Sequence, residues 1–268
     1  MENVCKLTGS HGKFVKCHIL PKALTKPAIT GKPFIQGGTG LRPVRRWSSW
    51  YDQNLVTRDG ENILSDLDDW AIKFFRRERL VWSGWGPLIN IYGLCDILDD
   101  TNRGIREIEL SNPKRLQLFI LSILWRAAMS NMDEFSEIQI SVSEIDKITS
   151  ILLGEIEIPS HFFNSNLIQL SSRGVVHNQT PVAMEKQILK EFGSSKSKQK
   201  FFRFYIDGLI IHINKNIENN DNGIDYGDHT VGNSNKLIII TIPFESSFQY
   251  DNLLLLADTT KWSSKGDS

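Results

Sequence analysis

The residues with the clearest chemical potential lie at the two ends of the first sixty. His18 stands in CHILPK (17–22), at the head of a helical turn, where the helix dipole discourages protonation of the imidazole. A neutral imidazole in that position can accept a proton at physiological pH. Glu61 stands in the first turn of a second helix, where a carboxylate can serve the dipole or hold a hard cation. Between them, RPVRRWSSWYD (42–52) interleaves Arg42, Arg45 and Arg46 with Trp47, Trp50 and Tyr51. Guanidinium groups bind phosphates while aromatic faces stack on bases, so the segment suits nucleic acid; equally, its aromatics suit pinning a long loop to a core.

Charge distribution points the same way. Residues 1–58 hold ten lysines or arginines against Glu2 and Asp52, a net of +8, and the remaining chain must balance it with −8. A basic segment on an acidic body implies an anionic partner, with nucleic acid the usual one; the acidic body offers a second surface for a partner protein. Three cysteines, Cys5, Cys17 and Cys95, do not make a disulfide framework and imply a reducing, cytoplasmic home. No membrane span is expected, since the apolar run LQLFILSILWRAAM (116–129) falls short of the ~20 residues a bilayer requires.

These residues must be positioned by the elements around them. Residues 1–58, rich in Pro and Gly, predict little beyond a hairpin near 5–17 and a helical turn after His18. In ENILSDLDDWAIKFFRRER (61–79), apolar residues at Ile63, Leu64, Leu67, Trp70, Ala71, Phe74 and Phe75 form one helical stripe, with acids early and bases late. A strand is predicted at 105–110. Ser111 or Asn112 then caps a helix with Pro113 in its first turn, apolar nearly all round from 116 to 129. Arg126 inside that run requires an exit at the helix end or a carboxylate partner. SVSEIDKITSILLG (141–154) predicts a helix opened by Ser143 and closed by Gly154. FFRFYIDGLIIHINK (201–215) and KLIIITIPF (236–244) predict strands, 216–235 a mobile loop, and the residues after Asp258 a frayed tail.

Taken together, CKLT (5–8), CHILPK (17–22), LVTRDGE (55–61) and FILSILWRAAMS (119–130) give a layout that resembles a group of bacterial HNH-type proteins within the His-Me finger nucleases. Their pattern runs C-x-L-C, S-H-I-I-P-K, a Gly-rich basic stretch, L-L-C-x-x-C-E and an amphipathic helix. The likeness covers about half the chain and fades beyond residue 155. With the elements read above, the chain is expected to be an α+β protein: a degenerate HNH-like ββα finger over 1–85, as the resemblance implies, a buried helical core over 86–155, and a mixed, strand-containing region over 156–268, the last two being one domain or two. In that group two cysteine pairs hold a structural zinc; here only Cys5 remains, with Thr8, Thr57 and Gly60 at the other positions, so no structural zinc is expected.

The resemblance further implies metal-dependent cleavage of DNA phosphodiesters, in a bacterial defence or mobile-element setting. His18 would be the base, Glu61 the Mg²⁺ ligand and Asn54 the middle residue of the motif. Lys16, Lys22, Arg42, Arg45, Arg46 and Trp47 would contact nucleic acid. Active sites of this kind commonly carry an acidic ligand just before the histidine, and here that residue is Cys17. The alternative is therefore a catalytically inactive HNH-like module that binds nucleic acid or a partner protein. His161, His177, His212 and His229 show no metal-ligand spacing, and GGTG (37–40) reads as a turn.

Overall fold

The computed structural model describes residues 3–26, 33–38, 41–189, 196–215 and 226–263. Helix α1, Lys22–Thr25, is the short turn after His18; α2 is Arg58–Arg77, α3 Pro113–Met129, α4 Val142–Leu152 and α5 Phe248–Ser263. The α+β class read from the sequence is what the chain adopts.

Helix α2 buries Leu64, Leu67, Ala71, Phe74 and Phe75, most of the stripe that its periodicity predicts. Helix α3 starts as expected: the Asn112 side chain accepts the Arg115 amide at 2.9 Å with Pro113 in the first turn. It packs between α2 and α4, with Phe75 edge-on to Phe119 and the Trp125 indole donating to the Thr149 hydroxyl at 2.9 Å. Burial on all sides explains why α3 is apolar nearly all round.

The cap of α4 differs from expectation. Ser141, not Ser143, opens the helix, because only Ser141 has a glutamate three residues on. Its side chain accepts the Glu144 amide while the Glu144 carboxylate takes the Ser141 amide, a complete capping box.

A seven-stranded sheet lies against these helices, in the order Val182–Leu189, Lys196–Ile206, Leu209–Asn214, Ser165–Leu170, Lys236–Ile242, Gly104–Glu109, Asp96–Ile97. All neighbours are antiparallel except Ser165–Leu170 with Lys236–Ile242. Strand Gly104–Glu109 thus joins a sheet built mostly after residue 156, and one apolar core runs from Cys5 to Ile239.

Two further segments depart from expectation. Phe34–Gly38 and Leu41–Arg46, read as a turn-rich loop, form an antiparallel hairpin that gains a parallel third strand, His177–Gln179. That partner is about 140 residues away, so no local pattern announces it. The chain after Asp258 is helical to Ser263, so α5 extends into the segment expected to be a tail. Residues 216–225, in the expected mobile loop, and 39–40 of GGTG lie outside the described residues. Among the described residues, no helix is long and apolar enough to cross a membrane.

Candidate functional site

Cys17–His18 forms a two-residue strand antiparallel to Tyr51–Asp52, and α2 begins six residues later. Adjacent strand residues point to opposite faces. Cys17 is fully buried toward α2, while His18 is half-buried with its ring tilted against Tyr51, centroids 6.1 Å apart. Residues 17 and 61 are thereby brought together: the Cys17 thiol, directed at the His18 carbonyl at 4.0 Å, lies close enough to the Glu61 carboxylate for each to act on the other's ionisation.

The electrostatics follow from burial. Desolvation pushes the Cys17 thiol far above the ordinary range despite the neighbouring Arg126, and Glu61 and Asp68 push it further, so the group is a neutral S–H donor. Desolvation also raises the Glu61 carboxyl, against the nearby Cys17 thiol and the Arg126 and Arg58 charges, which favour ionisation. One of its oxygens, Oε2, is buried without a hydrogen-bond partner. Burial, helped by Lys16, Lys22 and Arg126, lowers His18 to about 4, so the imidazole is neutral at physiological pH; its Nε2 is also buried and unpartnered.

Arg126 organises the cluster. It is 1% exposed, and all five of its N–H donors are met. Two N–H groups reach the Asp68 carboxylate, at 2.6 and 2.9 Å; one reaches the His18 carbonyl at 2.8 Å; two reach the Ser122 carbonyl and hydroxyl, each at 3.2 Å. The charge inside α3 has therefore taken the carboxylate route, and it ties the histidine strand to α2. Asp66 pairs instead with Arg115 at 2.6 Å.

A second convergence lies at the start of α2. Cys5, Thr8, Thr57 and Gly60, the four positions that the sequence pattern assigns to cysteine pairs, meet in space. The Thr8 amide donates to Cys5 Sγ at 3.5 Å, and the Thr8 and Ser10 hydroxyls are 2.7 Å apart. The Ser10 and Thr57 hydroxyls are 3.4 Å apart, and a Cβ on Gly60 would lie 2.7 Å from Cys5 Sγ. Burial opposes a Cys5 thiolate, but hydrogen bonds from Thr8 and Thr57 outweigh it and set the thiol below its ordinary range. A hydroxyl network and a thiol fill this corner, and Gly60 leaves the thiol its space.

The other predicted residues scatter. Asn54 is exposed; its amide donates to Asp52 at 2.7 Å, and among the described residues no hydrogen bond joins its side chain to His18 or Glu61. Lys16 and Lys22 are exposed near His18, with the Lys16 ammonium 3.5 Å from the Tyr51 ring centre. Arg45, Arg46 and Trp47 lie on and beside the second strand of the hairpin, with Trp47 63% exposed and Arg46 paired to Glu134 at 3.1 Å. Arg42 is in the same strand, its side chain outside the described residues. Trp50 takes the other role open to these aromatics: it is buried, edge-on to Phe135 at 5.6 Å. Sequence reasoning missed the Cys17–Glu61 contact and the part played by Asp68. The unexplained charge of Arg126 was the available signal for the latter.

Among the described residues, no three His, Cys, Asp or Glu side chains form a group suited to holding a metal ion. Comparison with protein-family models, curated proteins and solved structures finds no match for this chain.

Proposed function

We propose that this chain is an HNH-like module that binds nucleic acid, DNA in the first instance, without cutting it. The observation that carries the reading is the charge around His18 and Glu61. Where an active HNH site would hold a cation between two acidic positions, residue 17 supplies a neutral thiol beside Glu61. A fixed guanidinium, Arg126, stands beside both. That donor set fits Mg²⁺ poorly: one carboxylate raised by burial, one thiol that stays protonated, and a like charge close by. Lys16, Lys22 and Arg126 instead make the histidine face positive, which favours a phosphate. The exposed Arg45 and Trp47 on the hairpin supply a basic, aromatic patch of their own.

The resemblance to the HNH group is supported by two juxtapositions that its pattern requires and local sequence does not: residue 17 against residue 61, and positions 5, 8, 57 and 60 at one corner.

One observation favours the alternative, a metal-dependent endonuclease. Glu61 Oε2 is unpartnered and His18 is held neutral, as a general base must be. Incubating plasmid and single-stranded DNA with purified protein in Mg²⁺, Mn²⁺ or EDTA, beside His18→Ala, separates the two. Intact DNA in every metal supports a binding module, while metal-dependent cutting that disappears in His18→Ala establishes the nuclease.

A further inference from the structure

A cavity opens at the far end of α2, about 22 Å along the helix from Glu61 at 1.5 Å per residue. It measures about 270 Å³, and its lining comes from five separated segments, around Lys26, Arg76, Trp82, His177 and Tyr205. One wall is fixed by a hairpin turn. Asp207 and Gly208, both at positive φ (50° and 86°), join strands Lys196–Ile206 and Leu209–Asn214 in the manner of an Asp-Gly turn. The Asp207 carbonyl accepts the Trp82 amide at 2.9 Å and its carboxylate accepts the Ser83 amide at 3.0 Å.

The cavity combines two kinds of unspent polar capacity. Arg76 uses two N–H groups on the Ala23 carbonyl and the Ser83 hydroxyl, each at 3.2 Å. Arg173 directs one terminal nitrogen to the Trp82 and Gly86 carbonyls, at 3.0 and 3.2 Å. Each fork therefore retains N–H donors without a partner among the described residues, and Lys26 adds an exposed ammonium. Against these three cations stands Asp207, already bound to Ser83.

Deeper in, His177 is 5% exposed and stacks on Tyr205, centroids 4.7 Å apart and planes 19° off parallel. Its Nδ1 lies 2.7 Å from the Val175 carbonyl, which can only accept, so Nδ1 carries the hydrogen and Nε2 presents a lone pair. That Nε2 has no donor, and the buried Tyr205 hydroxyl also lacks a hydrogen-bond partner, although the Gly208 amide is near enough to act on its ionisation. A buried acceptor with no donor is costly unless something else supplies one.

We infer that this cavity binds one nucleotide, its phosphate on Arg76, Arg173 and Lys26 and its base against His177. Arginine forks suit phosphate oxygens. The volume lies just below the usual range of small-molecule sites and leaves no room for a second nucleotide. The inference does not depend on what happens at His18. A free mononucleotide and a nucleotide turned out of a strand offer the same chemistry.

Titration calorimetry with AMP, GMP, CMP and UMP, beside inorganic phosphate and the matching nucleosides, tests it. At least one nucleotide should bind, with phosphate alone and nucleoside alone each weaker by about tenfold or more. Lys26→Gln, at an exposed position, should weaken that binding by about tenfold while the thermal unfolding curve stays in place, and Arg173→Gln, which also releases the Trp82 and Gly86 carbonyls, should weaken it as much with a small loss of stability. His177→Gln should alter the preference among the four bases. A single-stranded oligonucleotide displaced by the nucleotide identifies the strand as the source, and an oligonucleotide that does not compete identifies the free nucleotide. No binding by any of the four, phosphate binding as tightly as the nucleotides, or affinity unchanged in both charge variants would overturn the inference.

Discussion

Asp68→Leu is the perturbation that reaches furthest into this account. Asp68 accepts two of the five hydrogen bonds of Arg126, at 2.6 and 2.9 Å, and Arg126 is 1% exposed. Removing the carboxylate leaves a buried guanidinium with two donors unmet and its countercharge gone, which costs about 3–5 kcal/mol. For a chain of this size that lowers the melting temperature by about 5–10 °C. Arg126→Met leaves Asp68, whose side chain is 14% exposed and so reachable by water, and frees the His18 carbonyl; we expect about 2–4 kcal/mol. The double variant replaces both charges with apolar groups, so neither is stranded. Its loss should be smaller than the sum of the single losses by about 2–3 kcal/mol. Urea unfolding of the four proteins, followed by circular dichroism, measures the cycle. Additive losses, or an Asp68→Leu protein within about 1 kcal/mol of the parent, would refute the argument that this pair ties the histidine strand to α2.

Three further outcomes follow from the same geometry. Gly60→Ala puts a Cβ 2.7 Å from Cys5 Sγ and 3.0 Å from Val56 Cβ. The crowding should outweigh alanine's helix preference and cost a net of about 1–2 kcal/mol in denaturant unfolding; a stabilised variant would contradict the packing. Replacing Thr8, Thr57 and Gly60 together by cysteine should create a site that takes up one Zn²⁺ per chain, read by spectroscopic titration with Co²⁺ and back-titration with Zn²⁺. No uptake would remove the parallel with the zinc corner. Stability should fall as pH drops from 6.5 to 4.5. Burial depresses His18 and His177 to about 4 and His212 to about 3, so in this window the unfolded chain binds protons that the folded chain refuses. Glu61 and Asp207, held high by burial, act in the opposite sense, leaving a net loss of about 2–5 kcal/mol; equal urea midpoints at the two pH values would count against it.

Helices were legible where a single period governs them. The stripe from Leu64 to Phe75 and the Asn112–Pro113 start of α3 are local signals, and the structure follows them. Ser143 was the wrong cap because a capping box is set by the residue three places on, and Ser141 has Glu144 there. The hairpin at 34–46 was illegible because its parallel partner, His177–Gln179, lies in a part of the chain that shares no motif with it. In the candidate site, His18, Glu61 and the cysteine-pair positions could be picked out by pattern. Asp68 could not, since three acids in the first half of a helix already satisfy its dipole. Nor could the cavity at the far end of α2, where lone residues from five segments meet and each, taken alone, reads as ordinary core or surface.

The most direct test of the central claim is the affinity of a short fluorescent DNA duplex for the protein, measured by anisotropy in EDTA and again in Mg²⁺ across a series of salt concentrations. The account predicts binding in EDTA that weakens steeply with salt, is not strengthened by Mg²⁺, and loses about one phosphate contact's worth of salt dependence in Arg45→Ala. Binding that appears only with Mg²⁺, or no binding at any salt concentration, would contradict it.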